Sequence, residues 1–306
     1  METVGPVEPP HGGRRFPART EIVLAALLFS TGGAAIKLSS FTSWQVAGFR
    51  SALAAAALLV ALPAARRGWS RRGLLVAGGY SAMLILFVSA NKLTTAMNTI
   101  FLQDTGPFYV LALSPALLGE RIHKRDLVVM GLILAGLSLF FISSESPQAT
   151  APRPLLGNVL AALSGLGWAM TLIGLRWLGK SSRTADVSLS AVAMGNLLTA
   201  AVCLPMALPV APADHTLRNW LLMAFLGVFQ IGLAYVFLAG GLARVPAFTA
   251  SILLLLEPVF SPVWTFLLHR EVPNAWAAAG GALILGATVA KAWTPAPSEP
   301  PRRGEP

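Results

Sequence analysis

Leu221-Leu222-Met223-Ala224-Phe225-Leu226-Gly227-Val228-Phe229-Gln230-Ile231-Gly232-Leu233-Ala234-Tyr235-Val236-Phe237-Leu238-Ala239-Gly240 is a stretch without a single formal charge. Apolar and polar positions do not alternate in it; from Leu221 to Val228 every residue is apolar or glycine. A strand of a membrane barrel needs alternation over about ten positions. A helix crossing the hydrocarbon layer of a bilayer needs about 20 predominantly apolar residues instead. The stretch is read as a membrane-spanning helix, and it sets the reading of the rest.

Similar runs lie near residues 21–38, 44–63, 73–91, 95–118, 127–144, 157–176, 187–208, 246–268 and 275–293, which with 219–240 make ten. The composition agrees: of 306 residues, 55% are hydrophobic and 12% charged, and the mean hydropathy is +0.67. A soluble domain carries about a quarter of its residues as charges. A chain this poor in charge turns its outer face to lipid, so the expected fold is an all-α integral membrane protein with ten transmembrane helices. The first run follows several arginines and has the look of a secretory signal. It continues through Ala35 and Ile36, with further spans behind it, and is read as an uncleaved first helix.

The net charge of +10 would suit a nucleic-acid binder, but the basic residues sit between the apolar runs and no separate basic domain exists. Nucleic acid is therefore excluded as a partner. Read as topology, the same residues orient the chain, because Lys and Arg accumulate in cytoplasmic loops. With the N-terminus inside, Arg66, Arg67, Arg71, Arg72, Lys124, Arg125, Lys180 and Arg244 fall on the inner side, and the outer loops keep only Lys92, Arg153, Arg218 and Arg270. Both termini are then cytoplasmic, in an inner (plasma) membrane. Cys203 is the single cysteine, and His11, His123, His215 and His269 are scattered. No disulfide, metal site or cofactor is expected, and no phosphate-binding Gly-x-x-x-x-Gly-Lys-Ser/Thr loop is present.

The segment Glu145 to Pro154 divides the chain. Sliding the second half back by 151 positions lays Ala96 on Ala247, Leu102 on Leu253, Pro107 on Pro258 and Glu120 on Glu271. Five spans per half force the halves into opposite orientations, the inverted-repeat plan of many secondary transporters. The expected organisation is a flexible cytoplasmic tail at 1–20, a five-helix repeat at 21–145 and a periplasmic or extracellular linker at 146–156. A second repeat at 157–293 and a flexible cytoplasmic tail at 294–306 complete it.

Thr94-Thr95-Ala96-Met97-Asn98-Thr99-Ile100-Phe101-Leu102-Gln103, then Pro107 and Leu118-Gly119-Glu120-Arg121, resembles the first half of an EamA-type member of the drug/metabolite transporter superfamily. Gly240-Gly241-Leu242-Ala243-Arg244-Val245-Pro246-Ala247, then Leu256-Glu257-Pro258, His269-Arg270-Glu271 and Gly281-Ala282-Leu283-Ile284-Leu285, resembles its second half. The resemblance implies ten spans, cytoplasmic termini, a central cavity between the repeats, and secondary-active export or uptake of amino acids or other small metabolites. One departure is Phe29, where many members carry tryptophan; Trp168 holds the corresponding place in the second half.

Ionisable residues inside a span cost about 2.5 kcal/mol or more at mid-membrane and mark sites or packed pairs. Lys37, Arg50, Asp104 and Glu257 qualify. Lys37, near a helix end, is read as snorkelling. Arg50 is expected to meet Asp104 or Glu257, which share one depth in the two repeats. The functional reading is substrate or proton binding; the alternative is a structural ion pair. Asn98, Gln103, Trp168, Gln230 and Tyr235 join the candidate substrate- or proton-binding set, with Pro107 and Pro258 as helix breaks at the site. Glu120-Arg121 is read as a local ion pair or cap. The expected partners are a small-molecule substrate, the lipid bilayer and a proton or other coupling ion, with a homodimer left open. A transport protein is favoured over a membrane scaffold, a sensor or a membrane-embedded enzyme, for which no clustered nucleophile, base or metal ligands exist.

Overall fold

A computed structural model describes residues 16–120, 122–142, 152–182, 186–269 and 275–293. Most of both tails, most of the 146–156 linker, Arg121, Arg270 and Glu271 lie outside the described residues. Helices α1 (Ala18–Ser30) and α2 (Gly32–Leu38) are separated only by Thr31. They are followed by α3 (Ser43–Ala61), the short turn α4 (Pro63–Arg66) and α5 (Arg71–Leu93). Next come α6 (Ala96–Gln103), α7 (Gly106–Leu118) and α8 (Lys124–Ile142). The second half holds α9 (Pro154–Ser182), α10 (Asp186–Ala207) and α11 (Leu217–Ala224), which runs through a π-helical segment (Phe225–Leu233) into α12 (Ala234–Leu242). Helices α13 (Ala247–Leu254), α14 (Leu256–His269) and α15 (Ala275–Trp293) close the chain. No strand occurs among the described residues. Residues 18–20, assigned to the tail from sequence, are already helical, because Pro17 is followed by good helix formers.

Hydroxyl side chains start four of these helices. Thr42 forms a reciprocal cap with Gln45, while Ser70, Thr95 and Thr216 accept from Gly73, Asn98 and Asn219 backbone N–H groups. Gly119, at φ 67°, ends α7 in the left-handed conformation that glycine adopts without cost. Six helical stretches are long and apolar enough to cross a membrane: Ala18–Leu38, Ser43–Ala61, Arg71–Leu93, Pro154–Lys180, Asp186–Ala207 and Leu217–Leu242.

The 151-residue shift reappears in the helix bounds. Moved by it, α6 falls on α13 with the same first and last positions, α8 falls on α15, and the break at Asp104 falls on the break at Leu255. Pairing follows the same rule. Helix α5 packs on α9 as α12 packs on α1, α10 on α5 as the π-helical segment on α3, and α9 on α6 and α7 as α1 on α13 and α14. Two further pairs, α3 with α10 and α8 with α15, join equivalent elements of the two halves. Small residues permit the closest of these approaches. A Cβ on Gly227 would lie 2.6 Å from the Arg50 carbonyl oxygen, and one on Gly136 would lie 3.0 Å from that of Gly280. Gly131 and Gly286 have no such neighbour within 4 Å.

The prolines differ from the sequence reading. Pro107 and Pro258 do not interrupt a continuous helix; they stand in the first turn of α7 and of α14, after the chain has already broken. A proline in a first turn forfeits no hydrogen bond, since those N–H groups have no helical acceptor.

Candidate functional site

Between the halves lies a small cavity of about 40 Å³. Arg50 enters it from α3, Gln103 from the end of α6, Trp168 from α9, Gln230 from the π-helical segment, Tyr235 from α12 and Glu257 from the start of α14. Phe29, Met83, Leu84, Phe87 and Ile231 complete the wall with apolar surface. Few polar groups in a mainly apolar concavity is the usual make-up of a small-molecule site.

The local structures explain these positions. The π-helical segment widens the helix by one residue per turn, a feature frequent at functional sites, and carries Gln230 against Gly32, where a Cβ would lie 2.6 Å from the amide nitrogen. The break after α6 leaves Gln103 and Asp104 at a helix end, and the break at Leu255 opens α14 with Glu257 in its first turn. Carboxylates are favoured in a first turn by the helix dipole. Aromatic edges fix the remainder: Tyr235 meets Phe29 and Tyr80 at centroid distances of 5.1 and 5.0 Å, and Phe29 meets Trp168 at 5.8 Å.

Arg50 is 1% exposed, and its Nε has no hydrogen-bond partner. The expected ion pair with Asp104 or Glu257 is not formed: the salt bridges among the described residues join His123 to Asp126, Arg176 to Glu120 and Arg244 to Glu21. The guanidinium lies instead within electrostatic reach of Tyr80 and Tyr235. Asp104 and Glu257, one from each half, are electrostatic neighbours. Asp104 Oδ2 and Gln230 Oε1 are buried without a donor. Buried polar groups are normally paired, and each one left unsatisfied costs about 1–3 kcal/mol. Arg50 Nε and Gln230 Oε1 on the cavity wall, with Asp104 Oδ2 beside it, are thus left without hydrogen-bond partners among the described residues.

Six sequence candidates therefore line one cavity: Arg50, Gln103, Trp168, Gln230, Tyr235 and Glu257. Asp104 stands beside it. Asn98 does not line it; its amide donates to Thr94 Oγ1 at 3.4 Å and its backbone N–H to the Thr95 cap. Pro107 and Pro258 are buried and are not among the residues that line it. Lys37 does not reach for headgroups but donates to the Thr94 carbonyl at 2.9 Å. Glu120 ties distant helices, through Arg176 and the Ala247 N–H. Missed altogether was Tyr80, 1% exposed, which accepts from Asn196 Nδ2 at 3.0 Å beside Arg50. A lone tyrosine in an apolar run carried little signal, although buried tyrosine hydroxyls need partners.

Comparison with known proteins agrees with this architecture. The EamA-like transporter family matches residues 21–142 and again 155–290. The pseudopaline exporter CntI of Pseudomonas aeruginosa is 29% identical over 274 residues, covering 88% of this chain and 93% of that protein. An uncharacterized transporter of Archaeoglobus fulgidus is 26% identical over 284 residues, covering 88% and 95%. A solved crystal structure has the same fold, with a TM-score of 0.73 at 20% identity over 90% of this chain and 96% of that one. A chain matched in both halves by one family of carriers, with apolar helices of membrane length around a mainly apolar cavity that carries a few polar groups, belongs to the EamA-like transporter family and is a multi-pass membrane transporter.

Proposed function

We propose that this protein is a secondary-active carrier of a small polar metabolite of the amino-acid type, moved through the cavity between two inverted five-helix repeats. The observation that carries the reading is the cavity's pairing of opposite chemistry: Arg50 on one wall, Glu257 with Asp104 beside it on another. Arg50 would hold a substrate carboxylate, a geometry that guanidinium groups favour. The acidic pair would hold a substrate ammonium or the coupling proton, and Gln103 and Gln230 would orient the polar body between them.

Ten spans are supported by helical segments at all ten apolar runs and by the repeated bounds of α6 and α13. The division into repeats at 21–145 and 157–293 is supported by the two separate stretches of family similarity. Cytoplasmic termini in an inner membrane follow from the arginines at 66–72. Similarity to an exporter supports export as the direction.

The test is uptake of amino acids and related zwitterions into proteoliposomes, with and without a proton gradient. Saturable uptake whose apparent affinity is at least about tenfold weaker in Arg50→Met is the expected result; no saturable uptake of any zwitterion would overturn the reading. Cysteines introduced at Ser70 and Ser146 should react from opposite sides of the membrane, and reaction from one side would refute the topology.

A further inference from the structure

The cavity is shielded at its polar groups: Arg50, Tyr235 and Glu257 are all 8% exposed or less. It loads only if one face of the bundle parts. On the face where α2 ends, two lysines donate to backbone carbonyls. Lys37 donates to the Thr94 carbonyl at 2.9 Å, and Lys92 to that of Ser39 at 2.8 Å.

The opposite face, where α1 begins and α7, α9 and α12 end, is fastened by paired charges. Glu120 follows α7. Its carboxylate takes Arg176 Nε from α9 at 3.2 Å and the backbone N–H of Ala247, the first residue of α13, at 3.1 Å. Arg176 Nη1 in turn donates to the carbonyls of Leu242 and Ala243, at the end of α12, at 2.9 Å each. Each charge thus meets the helix end of opposite sign: the carboxylate an N-terminus, the guanidinium a C-terminus. Lys180, one turn further along α9, donates to the Leu118 carbonyl at 3.3 Å. These contacts join α7 of the first half to α9, α12 and α13 of the second.

Both partners keep 13% side-chain exposure, so water can reach and replace them. Trp168, Leu172 and Arg176 follow one another at four-residue spacing on α9, so the pair stands two turns from the cavity wall along one helix face.

We propose that Glu120 and Arg176 form a latch that holds this mouth of the cavity shut and parts when the cavity opens toward the face where α1 begins. The proposal rests on the transport reading for its purpose, but its test needs no substrate. In a Cys203→Ser background, a single cysteine replaces Leu172, which is fully buried between latch and cavity. The rate at which a water-soluble maleimide modifies it is measured on the full chain in proteoliposomes, alongside the thermal midpoint. Glu120→Gln should raise that rate by about tenfold or more, the loss expected for hydrogen bonds to a charged group. An unchanged rate in a folded Glu120→Gln protein overturns the latch. Should that variant fail to fold, Arg176→Gln is read the same way, and failure of both assigns the contact to the fold and also overturns the proposal. A transport assay that fails leaves this rate measurable, so the two readings fall separately.

Discussion

Replacing Arg50 by methionine separates a cation held for a ligand from a cation held for the fold. Breaking a buried ion pair by removing one partner costs about 3–5 kcal/mol, because the other charge stays behind unpaired. Arg50 forms no ion pair among the described residues, and its Nε already lacks an acceptor at 1% exposure. Methionine keeps most of the aliphatic stem and removes that donor, which by itself relieves about 1–3 kcal/mol. Some of that gain is lost to imperfect filling of the guanidinium's space, so the expected stability change lies between zero and about 2 kcal/mol in the stabilising direction.

Function should move the other way. A carboxylate that gives up its charged hydrogen bonds loses about 1.5–3 kcal/mol, a tenfold to hundredfold weaker apparent affinity. The assay is thermal unfolding in detergent, followed by tryptophan fluorescence, beside uptake kinetics in proteoliposomes for the same preparation. A variant that unfolds several degrees earlier, yet transports at the parental rate, would show that Arg50 serves packing and refute the reasoning.

Two other substitutions probe the frame around the cavity. Gly227→Ala puts a Cβ 2.6 Å from the Arg50 carbonyl oxygen and 3.1 Å from the Ala54 nitrogen, both backbone atoms that cannot swing away; a loss of about 1–3 kcal/mol, seen as a lowered thermal midpoint with impaired uptake, is expected. Asn98→Ala removes only a 3.4 Å contact to Thr94 and leaves the Thr95 cap in place; stability should fall by less than about 1 kcal/mol with uptake kinetics unchanged, and a large kinetic defect would return Asn98 to the site.

The sequence made the cavity's polar members visible because each is anomalous where it stands. Arg50, Gln103, Gln230 and Glu257 interrupt apolar runs, and such interruptions are costly enough in lipid to persist only for a reason. Phe29, Met83, Leu84 and Phe87 supply much of the wall and offer no such contrast, since apolar residues facing a cavity and those facing lipid look alike in sequence. Long-range pairing was hidden for another reason. Glu120 meets Arg176 across 56 residues and Ala247 across 127, whereas the charge nearest in sequence, Arg121, invited a local reading.

The failed pairing of Arg50 with the acids shows where depth stops being informative. Position along a span fixes how far a side chain lies from the membrane surface, and the 151-residue shift fixes which residues share a level. Neither fixes the direction in which a helix turns that residue about its own axis, a matter decided by neighbours such as Gly227, whose missing side chain brings its backbone against α3 at Arg50. The helix breaks add a second cause. At Asp104 and Leu255 the 3.6-residue phase restarts, so Glu257, two residues beyond the break, cannot be projected from the face of α13. Broken helices are where a carrier places its ligand groups because the restart frees their orientation from the rest of the span. For the same reason, those groups are the ones whose partners a sequence leaves open.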